Sequence, residues 1–169
     1  MKKIINIILL SSLIACSSVK YEPLNKGGIN EARKNVIYDI LINHSKRGDF
    51  FNIRDDMYSK EGFYIFSVYI NENISYPGND MGHKSTFFPS RYIELKGRLF
   101  FWPDTTRVVS QEVLKKLEKY NAVTYYPFVG GRLNAITFIV CKSDISHYIK
   151  VDNWRPRPED YSLIKCPKK

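Results

Sequence analysis

Reactive side chains are sparse in this 169-residue sequence, which holds three cysteines and three histidines. A carboxylate, an imidazole and a hydroxyl fall close together in Asn79-Asp80-Met81-Gly82-His83-Lys84-Ser85, within a polar stretch from Asn71 to Pro89. There Asp80 could orient His83, and His83 could activate a nucleophile, the relay of a small hydrolase, with His147 as a second imidazole. A long surface loop is polar on solvation grounds alone, and no flanking motif fixes that geometry, so the Asp80 to Ser85 segment reads first as a loop. The sequence has no Gly-x-Ser-x-Gly elbow, no Gly-rich phosphate loop and no catalytic-cysteine setting. The histidines also lack His-x-x-x-His or Cys-x-x-Cys spacing, so no catalytic residue, cofactor or metal is assigned.

The other reactive group is the thiol of Cys16. Lys2 and Lys3 form a basic head, Ile4 to Leu10 is almost wholly apolar, and Leu13-Ile14-Ala15 leads with a small residue into Cys16. This is the layout of a cleaved signal peptide, and its apolar run is too short to span a bilayer as a helix. Leu13-Ile14-Ala15-Cys16 resembles the lipobox of bacterial lipoproteins. That resemblance covers about a tenth of the chain and implies that Cys16 carries diacylglycerol and fatty acid such as palmitate, and becomes the first mature residue. The acyl chains would tether the protein to a membrane of the cell envelope, since each buried methylene contributes about 0.8 kcal/mol. The resemblance also implies an outer-membrane destination where there are two membranes, because Ser17 is not the aspartate that retains a lipoprotein at the inner one.

The chain then divides into a signal peptide (1–15), a lipidated N-terminus and tether (16–28) rich in polar residues with Pro23 and Gly27-Gly28, and one domain (29–169) with a Pro-rich tail. Losing Lys2 and Lys3 lowers the formal charge from +9 to about +7. A basic balance beside an envelope admits anionic partners but equally a solvated face with none. An exported protein is a poor candidate for reading nucleic acid, so none is expected.

The elements that would position these groups follow from periodicity. Asn30 is placed to cap a helix whose stripe is Ala32, Val36, Ile37, Ile40, Leu41 and His44, with Gly48 as its stop and His44 in the core. Arg47-Gly48-Asp49, an adhesion tripeptide by its letters, falls at that stop and is read as chance. Phe63 to Ile70 reads as a half-buried strand with Tyr64, Phe66, Val68 and Ile70 inward and Ser67 outward. Arg91 to Phe101 reads as one alternating strand, Ile93, Leu95, Leu99 and Phe101 against Tyr92, Glu94, Lys96 and Arg98. A helix capped by Ser110 runs to about Tyr120 with Val113, Leu114, Leu117 and Tyr120 as its stripe and its lysines outside. Ala122 to Phe128 and Asn134 to Lys142 then read as a hairpin around Gly130-Gly131, with a short strand near His147 to Val151. The expectation is an α+β fold, a mainly antiparallel sheet with two helices packed on one face.

With no catalytic constellation fixed, the expected role is a non-enzymatic envelope lipoprotein of binding or inhibitor/immunity type, its partner a protein or an anionic glycan. The alternative is a small envelope hydrolase using the Asp80 to Ser85 loop. Two aromatic and basic sets are candidate contact surfaces: Tyr92, Lys96, Arg98 and Trp102 on one strand face, unless a helix covers it, and Trp154-Arg155-Pro156-Arg157-Pro158, which reads first as an extended strap. Once Cys16 is committed to lipid, Cys141 and Cys166 remain and are expected to pair in an exported domain. The alternative is that Cys141 is a small core residue and Cys166 an exposed thiol. Replacing Cys16 by Ser will leave unprocessed precursor without acyl groups. Fractionation of cells fed radiolabelled fatty acid checks this, and label at the wild-type level on Cys16→Ser would refute the lipobox reading.

Overall fold

The computed structural model describes residues 28–44, 46–55, 60–75, 88–103, 111–124 and 134–168. Residues 1–27, where a signal peptide, Cys16 and a tether were expected, the Asp80 to Ser85 segment expected as a loop, Ser110, expected as a helix cap, and residues 125–133 lie outside them. Among the described residues two helices, α1 (Ile29–Asn43) and α2 (Gln111–Lys119), and a 3-10 helix (Pro158–Leu163) accompany eight strands. The strands are β1 (Phe50–Arg54), β2 (Phe63–Ile70), β3 (Ile74–Ser75), β4 (Arg91–Leu95), β5 (Arg98–Trp102), β6 (Val123–Thr124), β7 (Ala135–Cys141) and β8 (Tyr148–Val151). Six form one sheet in the order β4-β5-β1-β2-β7-β8, and β3 pairs with β6. Within the large sheet β1 and β5 are parallel and every other pair is antiparallel, so the fold is α+β with a mainly antiparallel sheet.

The two helices were expected on one face and lie on opposite faces. Ala32, Val36, Ile37 and Ile40 of α1 pack with Phe51, Ile53, Phe66, Val68, Phe100, Phe138 and Val140. Val113 and Leu117 of α2 pack instead with Phe50, Leu99 and Phe101, the intervening residues of β1 and β5. Side chains alternate across a strand, so these two sets point away from each other. The β7 end of the second face is covered by the C-terminal tail, where Ile164 joins Ile139 and Cys141.

A turn explains why periodicity misassigned the faces of residues 91–101. Lys96 and Gly97 have φ of 51° and 73°, two consecutive left-handed residues that make a two-residue hairpin turn. Leu95 therefore pairs with Arg98 and Ile93 with Phe100. Every residue after the turn changes face relative to an unbroken strand, so Leu99 and Phe101 join Tyr92 rather than Ile93. A Cβ on Gly97 would sit 3.2 Å from Cγ of the exposed Arg47 side chain, which would have to shift by a few tenths of an ångström to admit it.

Further local departures have local causes. The N-cap of α1 is Gly28, whose carbonyl accepts from the Glu31 and Ala32 amides at 3.1 Å, while Asn30 lies inside and accepts from Arg33 Nη1 at 2.7 Å. The helix ends at His44, not Gly48, so His44 is exposed rather than in the core. Strand β1 follows at once, a short element that periodicity passed over. The second helix closes with Asn121 at φ 53°, the Ala122 amide reaching the Leu117 carbonyl at 2.8 Å and the Asn121 amide that of Glu118 at 2.9 Å, a Schellman ending. Strand β6 pairs with β3 in parallel, so among the described residues Val123 and Thr124 form no hairpin with β7.

Polar ties fix α1. Arg33 is buried beneath it, paired with Asp55, its guanidinium 5.2 Å from the Trp102 ring centroid. Asp39, also buried, accepts from Tyr148 at 2.5 Å, Lys150 at 3.0 Å and Asn43 at 3.1 Å, which joins the helix to β8. Burial alone would raise the Asp39 pKa, but these three donors outweigh it and hold the carboxyl below its ordinary value of 3.8. A carboxyl whose pKa falls on folding stabilises the fold above its unfolded value and loses that contribution as pH drops through the folded one. Asp39→Asn should cost about 2 kcal/mol at pH 7. In chemical denaturation the gap from wild type will narrow below pH 3.8; a gap that is constant with pH would contradict the assignment.

Cys141 and Cys166 form a disulfide with Cα atoms 5.5 Å apart and a separation of 25 residues. Constraining a loop of that length is worth about 3 kcal/mol in the chain-entropy model. Cys166→Ser should lower the urea-unfolding free energy by about that amount, and peptide mapping without reductant should recover the two cysteines in one linked species.

Candidate binding groove

After β8 the chain turns back over the second face of the sheet. The Thr137 hydroxyl donates to the Asn153 carbonyl at 2.6 Å and the Ser67 hydroxyl to the Trp154 carbonyl at 3.0 Å. Ser67 and Thr137 are themselves buried cross-strand partners, so the outward face expected for β2 is covered. Two carbonyls of an irregular segment thus find donors in the sheet. Pro156 is buried, the Arg157 amide donates to Asp160 Oδ2 at 2.6 Å, and the 3-10 helix starts at Pro158. Tyr161 then tilts against Phe63 with ring centroids 5.7 Å apart, and the disulfide pins the end.

This path leaves an open groove of about 580 Å³ between the tail and the Lys60 segment that precedes β2. Trp154 and Tyr161 line it together with Lys60, Arg155, Arg157, Asn153 and the two prolines. Lys60 Nζ stands 3.9 Å from the Tyr161 ring centroid, and Arg157 faces Glu159 at 3.7 Å with both side chains largely in solvent. Burial pushes the Tyr161 phenol up, the Asp160 charge adds to this, and nearby Arg155 opposes it. Three cations beside two aromatic rings suit an anion joined to a flat or ring-shaped body, because guanidinium groups pair with carboxylates while the rings offer stacking faces. Trp154, Arg155 and Arg157 were legible as an aromatic–basic set, whereas Lys60 and Tyr161 carried no sequence signal and are brought in by the β2 start and the 3-10 helix.

The other expected surface is dispersed. Tyr92 lies under α2, donates to Glu112 Oε1 at 2.6 Å, and its phenol is pushed up to about 12 by burial and by that carboxylate. Trp102 points to the α1 side beneath Arg33, Lys96 occupies the turn, and Arg98 Nε donates to the Lys46 carbonyl at 3.2 Å. Of the α2 lysines, expected outside, Lys115 and Lys119 are exposed and Lys116 is half-buried, and Lys116 and Lys119 reach Glu94 at 2.9 and 3.6 Å.

His83 lies outside the described residues, and His147 is exposed on the turn before β8. Beside it the Ser146 hydroxyl donates to Asp144 Oδ1 at 2.6 Å, which lowers the Asp144 pKa and commits that hydroxyl to the carboxylate rather than to the imidazole. Among the described residues no three His, Cys, Asp or Glu side chains gather to hold a metal ion.

A second polar set runs across the same face between α2 and the tail. Asn52, 1% exposed, and Tyr69 are paired in the sheet, the Arg54 guanidinium stacks 4.6 Å from the Tyr69 ring centroid, and burial raises the Glu72 pKa against the pull of Arg54. Asn52 Oδ1 and Glu72 Oε2 are buried without a hydrogen-bond partner. Comparison of the chain with family models, with curated proteins and with solved structures finds no match.

Proposed function

We propose that this chain is a lipid-anchored protein of the bacterial cell envelope that binds rather than catalyses, and that its tail groove takes an anionic glycan. The anchor rests on the resemblance of Leu13-Ile14-Ala15-Cys16 to a lipobox, with residues 16–28 as tether and 29–169 as the folded body. The outer membrane is the favoured location where there are two. The observation that carries the binding role is the groove itself, in which Trp154 and Tyr161 stand among Lys60, Arg155 and Arg157. Its lining supplies ring faces and positive charge, the two features that complement an acidic sugar. A sugar ring lies flat on an indole or phenol, and its carboxylate or sulfate is paired by the fork of an arginine.

The test is retention of the detergent-solubilised lipoprotein on immobilised polygalacturonate against its fully methyl-esterified, uncharged form. Binding is expected to the acid alone and to weaken with salt. The double variant Arg155→Ala/Arg157→Ala and the single variant Trp154→Ala should each weaken binding about tenfold or more, since hydrogen bonds to charged groups are worth about 1.5–3 kcal/mol and ring stacking about 1–3 kcal/mol. Equal retention on both polymers, or an unaffected double variant, would overturn the groove as an acidic-glycan site.

A further inference from the structure

Large apolar side chains left exposed among the described residues fall into two pairs on opposite sides of the sheet. Trp154 (39% exposed) and Leu163 (69%) belong to the tail, while Tyr38 (50%) and Ile42 (80%) belong to α1. On a helix advancing about 100° per residue, Tyr38 stands nearly opposite the centre of the buried arc of Ala32, Val36 and Ile40. Lys34, Tyr38 and Ile42, spaced four apart, form one outward stripe. Lys34 faces Glu31 at 3.9 Å, which leaves the first turn of that stripe locally neutral and the following turns apolar.

Beyond the end of α1 the surface becomes basic. Lys46 and Arg47 are exposed, the Gly48 amide bonds the Gly97 carbonyl at 2.9 Å, and this contact brings Lys96 of the β4–β5 turn alongside. The Asp49 carboxylate is engaged by the Lys46 amide at 2.6 Å and by Asn71 Nδ2 at 2.9 Å. A tyrosine and an isoleucine followed by a basic patch match the layers of an anionic bilayer surface, where the phenol sits at headgroup depth, the aliphatic chain enters the acyl boundary and cations meet phosphates.

The chain length fixes what lies nearby. From Cys16 to Gly28 there are twelve residue steps, which span at most about 40 Å when fully extended. Helix α1 begins at the next residue, so an acylated Cys16 keeps its start within about 40 Å of the bilayer, and a surface held at such a high effective concentration needs little affinity of its own to remain docked.

We propose that α1 lies on the membrane, with Tyr38 and Ile42 at the headgroup–acyl boundary and Lys46 and Arg47 over anionic headgroups. This docking rests on the lipid-anchor reading. It turns the opposite face of the sheet, and with it the tail groove, away from the bilayer toward whatever the protein binds.

The experiment uses the full lipidated protein in vesicles of phosphatidylglycerol and phosphatidylethanolamine. An environment-sensitive fluorophore is placed on Ile42→Cys or, in a separate preparation, on Leu163→Cys. Ile42 and Leu163 are both exposed, so neither change disturbs the core. The expected result is a blue-shifted emission, quenched by lipids brominated on their acyl chains, at position 42 and a water-like emission at 163. A water-like emission at 42 in protein that carries fatty acid overturns the docking while leaving the anchor intact, and equal shifts at both positions overturn the orientation. Absence of fatty acid from the purified protein refutes the anchor, and with it the premise of the docking, by a readout separate from the emission at 42. The double variant Lys46→Glu/Arg47→Glu should reduce the shift at 42, and an unchanged shift would remove the anionic headgroups from the proposal.

Discussion

The strand pair β2–β7 is buried on both sides, and most of the architecture answers the need to cover it twice. Phe66, Val68, Phe138 and Val140 face α1, whereas Ile65, Ile139 and Cys141 face the other way, and all seven are 3% exposed or less. Each such apolar side chain contributes about 1.5–3 kcal/mol when removed from water. A sheet with only one covered face would leave half of that contribution unrealised. Among the described residues α1 covers most of the first face. The second is shared between α2 over the β4-β5-β1 end and the C-terminal tail over the β2-β7-β8 end, with a polar row between them.

The α1 face holds its charged groups at a cost that geometry offsets. Arg33 and Asp39 lie on the sheet side of the helix, where an unpaired charge would be strongly destabilising. Each is met by an opposite charge and by further hydrogen bonds or ring contact, from Asp55, Asn30 and Trp102 in one case and Tyr148, Asn43 and Lys150 in the other. The two ties sit nearly two turns apart on one helix. They set its rotation about its own axis, and that rotation is what presents Lys34, Tyr38 and Ile42 outward.

The tail is held by different means. It has little regular structure, so its carbonyls need donors, and Ser67 and Thr137 provide them from positions that would otherwise be polar residues stranded in a core. Pro156 and Pro158 restrict the backbone before folding, and the Cys141–Cys166 bridge closes the far end. The groove is a by-product of this cover that is already shaped before any ligand arrives, so binding there need not order a loose segment.

The sequence by itself determined what depends on neighbours along the chain. The span of β2, the stripe of α2, the α+β class and the aromatic–basic run of Trp154 to Arg157 were all legible, because side-chain period and composition are local. Only tertiary structure decided which residues share a surface. The alternation in residues 91–101 held within each arm, but the turn at Lys96-Gly97 swapped the faces of the second arm and sent Trp102 to α1 and Phe101 to α2. The parallel pairing of Phe51 with Phe100 joins residues with three strands, β2, β3 and β4, between them in the chain, and no local pattern announces it. Helix side, the partner of β6 and the arrival of Lys60 and Tyr161 at the groove depend on the same long-range pairings. Those pairings are selected by the burial of both faces together, a property of the assembled sheet that no single segment encodes.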